Sequence, residues 1–298
     1  MNTIRLPLSN FMLEIFLESQ QNFNWIKMLF PVSADREPPV IRKLSVYRDS
    51  IDGFVLNGGA LSAQSFNSQQ ELAGALLFEI GEAICTEIRD NEYIFHAAAV
   101  ELDDQLLLLS GLPGSGKSTL AYTLSEYGFF VGDEYAHIDV FTGEVWSDYF
   151  PLQLKKGNPF LQCFGKSEMV EAVDPYSGLE GFYISADSIN KGLCTSDCRS
   201  KYKKAIICFP HYDSDYGKPV VSPVRIEMLP GLLLSGLIGK EPRHIMLQRM
   251  IKMLASNRFR LFEISFSDAK EAAACLCEHV NDRKLLQNIN NWIEYKKG

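Results

Sequence analysis

Between Gln69 and Ile88, Leu72, Leu76, Leu77, Ile80 and Ile84 recur at three- and four-residue spacing, which predicts an amphipathic helix packed along one face. Glu79, Glu82 and Glu87 then fall toward water or the edge of the stripe. Residues 1 to about 68 show no such period. Their short apolar runs are punctuated by Pro31, Pro38, Pro39 and Asn57-Gly58-Gly59, a pattern of strands and turns that predicts a small N-terminal module. Two apolar runs follow the helix, Tyr93–Val100 and Gln105–Gly111, separated by the turn-forming Asp103 and Asp104, and they predict a β-hairpin. The unbroken Leu106–Leu109 run is the signature of a strand buried on both faces.

After Lys117 the period becomes helical through Leu120, Leu124 and Tyr127 up to a stop at Gly128, and Phe129–Gly132 predicts a short buried strand. Residues 135–141 and 144–150 predict a second hairpin around Thr142-Gly143. Strands are expected at Lys203–Phe209, Val224–Leu229 and Phe259–Ser265, with helices at His244–Ala255 and from Asp268 onward. The segment Gly157–Ser200, with Pro159, Pro175 and several glycines, predicts a long irregular excursion of the kind that faces a substrate. Together these elements predict an α/β fold with α+β character. They divide it into an N-terminal α/β module over residues 1–90 and a larger domain over 91–298.

Composition narrows the class. The chain has 298 residues, 46% of them hydrophobic and 22% charged, which is ample for a core and far from a disordered chain. A net charge of −8 argues against a general binder of nucleic acid or anionic membranes. The seven cysteines are odd in number and dispersed, as reduced thiols would be. No signal peptide is legible at the N-terminus, and the longest apolar stretch, Met228–Gly239, is about half of what a membrane span needs. A cytoplasmic location is expected.

The candidate chemistry lies at the joint between the buried strand and the helix after it. Gly111-Leu112-Pro113-Gly114-Ser115-Gly116-Lys117-Ser118 fits the phosphate-binding pattern G-x-x-x-x-G-K-[ST] in the setting it requires. Glycines let backbone N–H groups turn toward phosphate oxygens, the helix N-terminus adds positive partial charge, Lys117 reaches the β- and γ-phosphates, and Ser118 offers its hydroxyl to Mg²⁺. Gly111, Pro113, Gly114, Ser115, Gly116, Lys117, Ser118 and Thr119 are therefore the candidate nucleotide-binding set. Asp133 and Glu134 end the next strand, where a carboxylate can serve Mg²⁺ or take the proton of an attacking hydroxyl. His96 precedes three alanines, which leave room for a group to approach. Ser118, Asp133 and Glu134 are the metal candidates, and His96, Lys117, Asp133 and Glu134 the catalytic ones.

The stretch from Phe95 to Tyr135 resembles the core of the HPr kinase/phosphorylase family, and more closely the HPr-kinase-related serine kinases. Its layout is also shared with the wider group that includes phosphoenolpyruvate carboxykinase. The resemblance rests on His96, the loop with Lys117 and Ser118, the short helix ending in glycine, and the acidic pair, over about 45 residues. It implies a P-loop kinase core, ATP and Mg²⁺ as cofactors, and transfer of the γ-phosphoryl group to an alcohol, most directly a Ser or Thr of a peptide or protein. By this resemblance His96 would sit near the transferred group. Glu134 stands where the bifunctional family usually has Asp, and that family's later glycine-rich signature with Arg and Glu has no clear counterpart here.

A small-molecule hydroxyl substrate, or a regulatory protein that binds nucleotide without catalysis, are the other readings, with a homo-oligomer compatible with each. Lys155, Lys156, Lys203, Lys204 and Arg225 are the available cations for the transition state. Cys275, Cys277 and His279, and the pair Cys194 and Cys198, are each too few or too badly spaced for zinc. His211 is read as the end of a strand, and the basic run Arg199–Lys204 as a solvated face.

Overall fold

A computed structural model of the chain describes residues 2–18, 24–30, 41–48, 53–61, 64–191, 201–225, 227–255 and 259–281. The protein is mixed α/β, with four sheets and seven α-helices among these residues. No helix among them is long and apolar enough to cross a membrane. It divides into two units, one formed by 1–88 with 149–198 and the other by 89–148 with 199–298. The chain crosses between these units at more than one point. The chain enters the second unit there, goes back to the first at 149 and returns at 199.

In the first unit, β1 (Asn2–Pro7), β2 (Met12–Leu17), β3 (Ile41–Arg48), β4 (Phe54–Asn57) and β5 (Gln64–Phe66) form one sheet in that order, with only β2 and β3 parallel. A short helix, α1 (Asn24–Leu29), lies between β2 and β3 in sequence. The predicted amphipathic helix is α2 (Gln69–Thr86), capped by Ser68, whose Oγ accepts from Glu71 N at 3.2 Å. Its apolar stripe is buried as the spacing requires. Glu79, however, faces inward, 3% exposed, and its carboxylate accepts from the N–H groups of Ala60 and Leu61. A buried carboxylate is tolerated here because it closes the donors of the 58–61 turn.

The second unit begins with β6 (Glu92–Phe95), β7 (Ala97–Leu102) and β8 (Gln105–Ser110). The expected β7–β8 hairpin is present, turned by Asp103 and Asp104 at φ 47° and 60°. The run read as one strand, 93–100, is two. The chain leaves one sheet at Phe95 and joins another at Ala97, so His96 sits in the break. Then come α3 (Lys117–Leu124), β9 (Phe129–Gly132), β10 (Ala136–Asp139) and β11 (Val145–Ser147), the last two paired antiparallel as expected.

Residues 149–198 return to the first unit. They open with β12 (Leu152–Lys155), and the expected excursion from Gly157, far from being wholly irregular, carries two 3₁₀ turns at Pro159–Cys163 and Lys166–Glu168, β13 (Met169–Val173), β14 (Glu180–Ile184) and α4 (Ala186–Ile189). β12, β14 and β13 form an antiparallel sheet. The strands are short, and turn residues between them mask the alternation. Residues 192–200, with Cys194, Cys198 and Arg199, lie outside the described residues.

The second unit closes with β15 (Ala205–Tyr212), β16 (Val220–Pro223), α5 (Leu229–Gly236), β17 (Leu237–Ile238), α6 (Arg243–Leu254), β18 (Phe259–Phe266) and α7 (Ala269–Asn281). The strand expected at Val224–Leu229 lies earlier, at β16, and Leu229 instead opens α5, where Pro230 suits a first helical turn. The main sheet has the order β16-β18-β15-β8-β7-β9. β8 is parallel to β15, and β15 to β18, while β7 is antiparallel to both β8 and β9. Leu106 to Leu109 are each 0% exposed, as their run predicted, and each contributes roughly 1.5–3 kcal/mol by burial.

Candidate functional site

Strand direction gathers the candidate residues. β8 and β9 run the same way, so the loop after Ser110 and the pair after Gly132 leave the sheet at one edge, where the antiparallel β7 begins just after His96. Adjacent strands lie about 4.8 Å apart, so three segments distant in sequence meet within side-chain reach.

The 111–116 loop is shaped by Gly114 and Gly116 at φ 87° and 91°. A Cβ on Gly116 would also come within 2.9 Å of Phe266 Cζ. α3 follows with Gly116 at its N-cap and no side-chain cap, which leaves its first N–H groups directed at the space before the helix. Ser115 Oγ is buried without a hydrogen-bond partner. Lys117 is 8% exposed, and its Nζ donates to Gly111 O at 2.8 Å.

Ser118 Oγ donates to Asp133 Oδ2 at 2.9 Å, and Asp133 is wholly buried. Glu134 has φ 70°, a left-handed conformation that is uncommon for a residue with a side chain. An extended backbone would send neighbouring side chains to opposite faces. This turn breaks the alternation, so that Asp133 reaches Ser118 while Glu134 reaches His96, whose Nε2 lies 2.5 Å from Glu134 Oε2. The contact is an ion pair when His96 is protonated, with both side chains partly exposed. The short Glu134 contact raises the His96 pKa above its ordinary value. Burial opposes the rise, as does the Lys117 charge, while Asp133 adds to it.

His96 is held by its backbone. Its N–H donates to Gly236 O at 2.7 Å and its carbonyl accepts from Ser110 Oγ at 3.0 Å. Ser110 and Gly236 carry no motif, and only the tertiary pairing reveals them. Tyr212 was likewise missed. Its N–H donates to Ser115 O at 3.2 Å, tying the end of β15 to the loop. The apolar run to Phe209 was visible, and the aromatic residue three positions on was the available signal.

Other candidates are placed elsewhere. Lys203 and Lys204 precede β15, at the opposite edge of the sheet, and Arg225 follows β16 as it runs away from the loop edge. Lys155 and Lys156 belong to the first unit, and Lys156 pairs with Glu180. His211 is exposed within the last residues of β15. His279 Nδ1 lies 2.8 Å from Cys275 O, a contact within one helix. Among the described residues no group of three His, Cys, Asp or Glu could hold a metal. A Mg²⁺ ion, however, is also served by hydroxyl and water oxygens, and Ser118 beside Asp133 offers two donors of the right hardness.

No known family model matches the chain, and no curated protein does. Among solved structures, the Hpr(Ser) kinase/phosphatase from Coxiella burnetii aligns over 64% of this chain and 96% of its own, with 11% identity and a TM-score of 0.28. A likeness this slight transfers neither fold nor activity.

Proposed function

We propose that this chain is an ATP-dependent kinase that transfers the γ-phosphoryl group to a hydroxyl, with a Ser or Thr of a peptide or protein as acceptor. One observation carries the reading. A glycine loop entering a helix stands at the same sheet edge as a hydroxyl bonded to a buried carboxylate and a second carboxylate paired with histidine. The sequence resemblance of residues 95–135 to HPr-kinase-related proteins points the same way. The unpartnered Ser115 hydroxyl and the uncapped N–H groups of α3 suit the oxygens of a polyphosphate.

In this reading the loop N–H groups and Lys117 bind the phosphates, with Lys117 turning from the Gly111 carbonyl to the β- and γ-oxygens. Ser118 and Asp133 would hold Mg²⁺, which when bound neutralises charge on the phosphate oxygens. The burial of Asp133 and the partial exposure of Glu134 support a division of roles within the pair. Asp133 serves the metal side, and Glu134 accepts the proton of the attacking hydroxyl. His96, whose pKa the Glu134 contact raises, would present positive charge toward the transferred group in its protonated form.

The test is transfer from γ-labelled ATP to a panel of peptides and hydroxylated metabolites. Lys117→Ala should abolish transfer. Glu134→Gln should lower kcat by about 100-fold with nucleotide binding retained, whereas Asp133→Asn should mainly raise the Mg²⁺ concentration required. Unchanged turnover in Glu134→Gln would remove the assigned base. Labelling of metabolites alone would redirect the acceptor to small molecules, and tight ATP binding with no transfer would make the chain a nucleotide-binding regulator.

A further inference from the structure

Tyr212 is an exposed aromatic ring locked to the phosphate-type loop on the side away from the acidic pair. In the sheet order, β9 with Asp133 lies two strands to one side of β8, and β15 lies directly on the other side, with β18 beyond it. β8, β15 and β18 are parallel, so Tyr212 and Phe266 end at the same edge as the loop. Two contacts and a close approach to the loop fix the position of Tyr212. Its N–H donates to Ser115 O at 3.2 Å, its Cβ lies 3.3 Å from where a Cβ of Gly116 would be, and its ring meets Phe266 edge-on at 5.8 Å. Phe266 is 1% exposed, yet Tyr212 is 48% exposed. The next residue is pinned as well, Asp213 N donating to Phe266 O at 3.0 Å. An exposed strand-end tyrosine is ordinary; one whose backbone is bonded to a glycine loop and whose ring rests on a buried ring is a preset platform.

We propose that the Tyr212 ring stacks against the base of the nucleoside triphosphate and so provides the nucleoside half of the site. The inference rests on the kinase reading above. If the γ-phosphate faces Glu134 and His96, the phosphate chain crosses the loop and its nucleoside end is carried toward β15 and β18, where Tyr212 offers a π-face. Stacking tolerates any base, so the platform supplies affinity for a nucleoside and leaves the choice among purines to other groups.

The experiment compares ATP with inorganic tripolyphosphate, each with Mg²⁺, by titration calorimetry on the full chain. Tyr212→Ala should weaken ATP binding about tenfold or more and change tripolyphosphate binding less than about twofold. Tyr212→Phe should bind ATP like the parent. Tyr212→Leu, which keeps apolar cover over Phe266 but has no π-face, should behave like Tyr212→Ala and guards against a folding defect. An unchanged ATP affinity in Tyr212→Ala and Tyr212→Leu, or equal losses for ATP and tripolyphosphate, would overturn the platform. If the parent does not bind ATP, or binds it independently of Lys117, the kinase reading falls and the platform with it. Lys117-dependent binding with silent Tyr212 variants overturns the platform alone.

Discussion

The Glu134 carboxylate is the largest single influence on the His96 imidazole. Because the Glu134 contact is the largest influence raising His96, Glu134→Gln should move the His96 titration midpoint to lower pH, read from its imidazole resonances by NMR. A midpoint that stays where it was would mean that the two side chains do not pair in solution. The residues of this site were legible one by one, since Lys117, Ser118, Asp133 and Glu134 stand in a recognisable spacing. Their partnerships were not. The choice of Asp133 for Ser118 and Glu134 for His96 depends on a single left-handed residue at 134, and glutamate gives no sequence signal for that conformation.

A second histidine is fully buried and carries no motif at all. His137 is 1% exposed, with Nδ1 at 2.5 Å from Glu92 Oε1 and Nε2 at 2.9 Å from Asp148 Oδ2, and its ring stacks on Trp146. Lys201 lies over the same Trp146 ring. Burial pushes the imidazole down, but the charge and hydrogen bond of Asp148, then Glu92, lift it to about 9. A folded value above the unfolded one means that this contribution is complete below about 6.5 and is lost as pH rises through about 9. Thermal unfolding should therefore show stability falling between those values. His137→Gln should cost about 3–5 kcal/mol at neutral pH, because two buried carboxylates lose their cation, and should flatten that decline.

Elements were predicted best where one period ran long enough to exclude the alternative. α2 declares itself over five turns, and the Leu106–Leu109 run needs two covered faces wherever it lies. The failures are equally physical. The run 93–100 is apolar throughout, so nothing local marks the change of sheet at His96, which is fixed instead by bonds from Gly236 and Ser110. The same holds for close approach between elements. Gly74 sits where an added Cβ would lie 1.7 Å from Val173 O, at the meeting of α2 and β13. In sequence it is only a weak helix residue. Gly74→Ala should therefore destabilise the protein by about 1–3 kcal/mol, despite alanine's better helix propensity, and denaturant unfolding checks the sign. A stabilised variant would show that α2 does not meet β13 so closely.

At the scale of the whole chain, the N-terminal unit is completed only by residues 149–198, because α2 packs on β13. A fragment of residues 1–88 should accordingly lack a cooperative unfolding transition by circular dichroism, since one face of α2 would lose its cover. A sharp transition in that fragment would make 149–198 an accessory. Local pattern accounts for a mixed α/β set of elements, the long helix, the hairpin, and a glycine loop between a buried strand and a helix, with acids after the next strand. Periodicity and turn chemistry act over a few residues and are therefore legible in the chain itself. Strand order, the return of 149–198 to the first unit, the pairing of His96 with Glu134, the burial of Glu79 and His137, and the seat of Tyr212 beside Ser115 were decided by tertiary structure. Each of them depends on contacts between residues far apart in the chain, which no local pattern encodes.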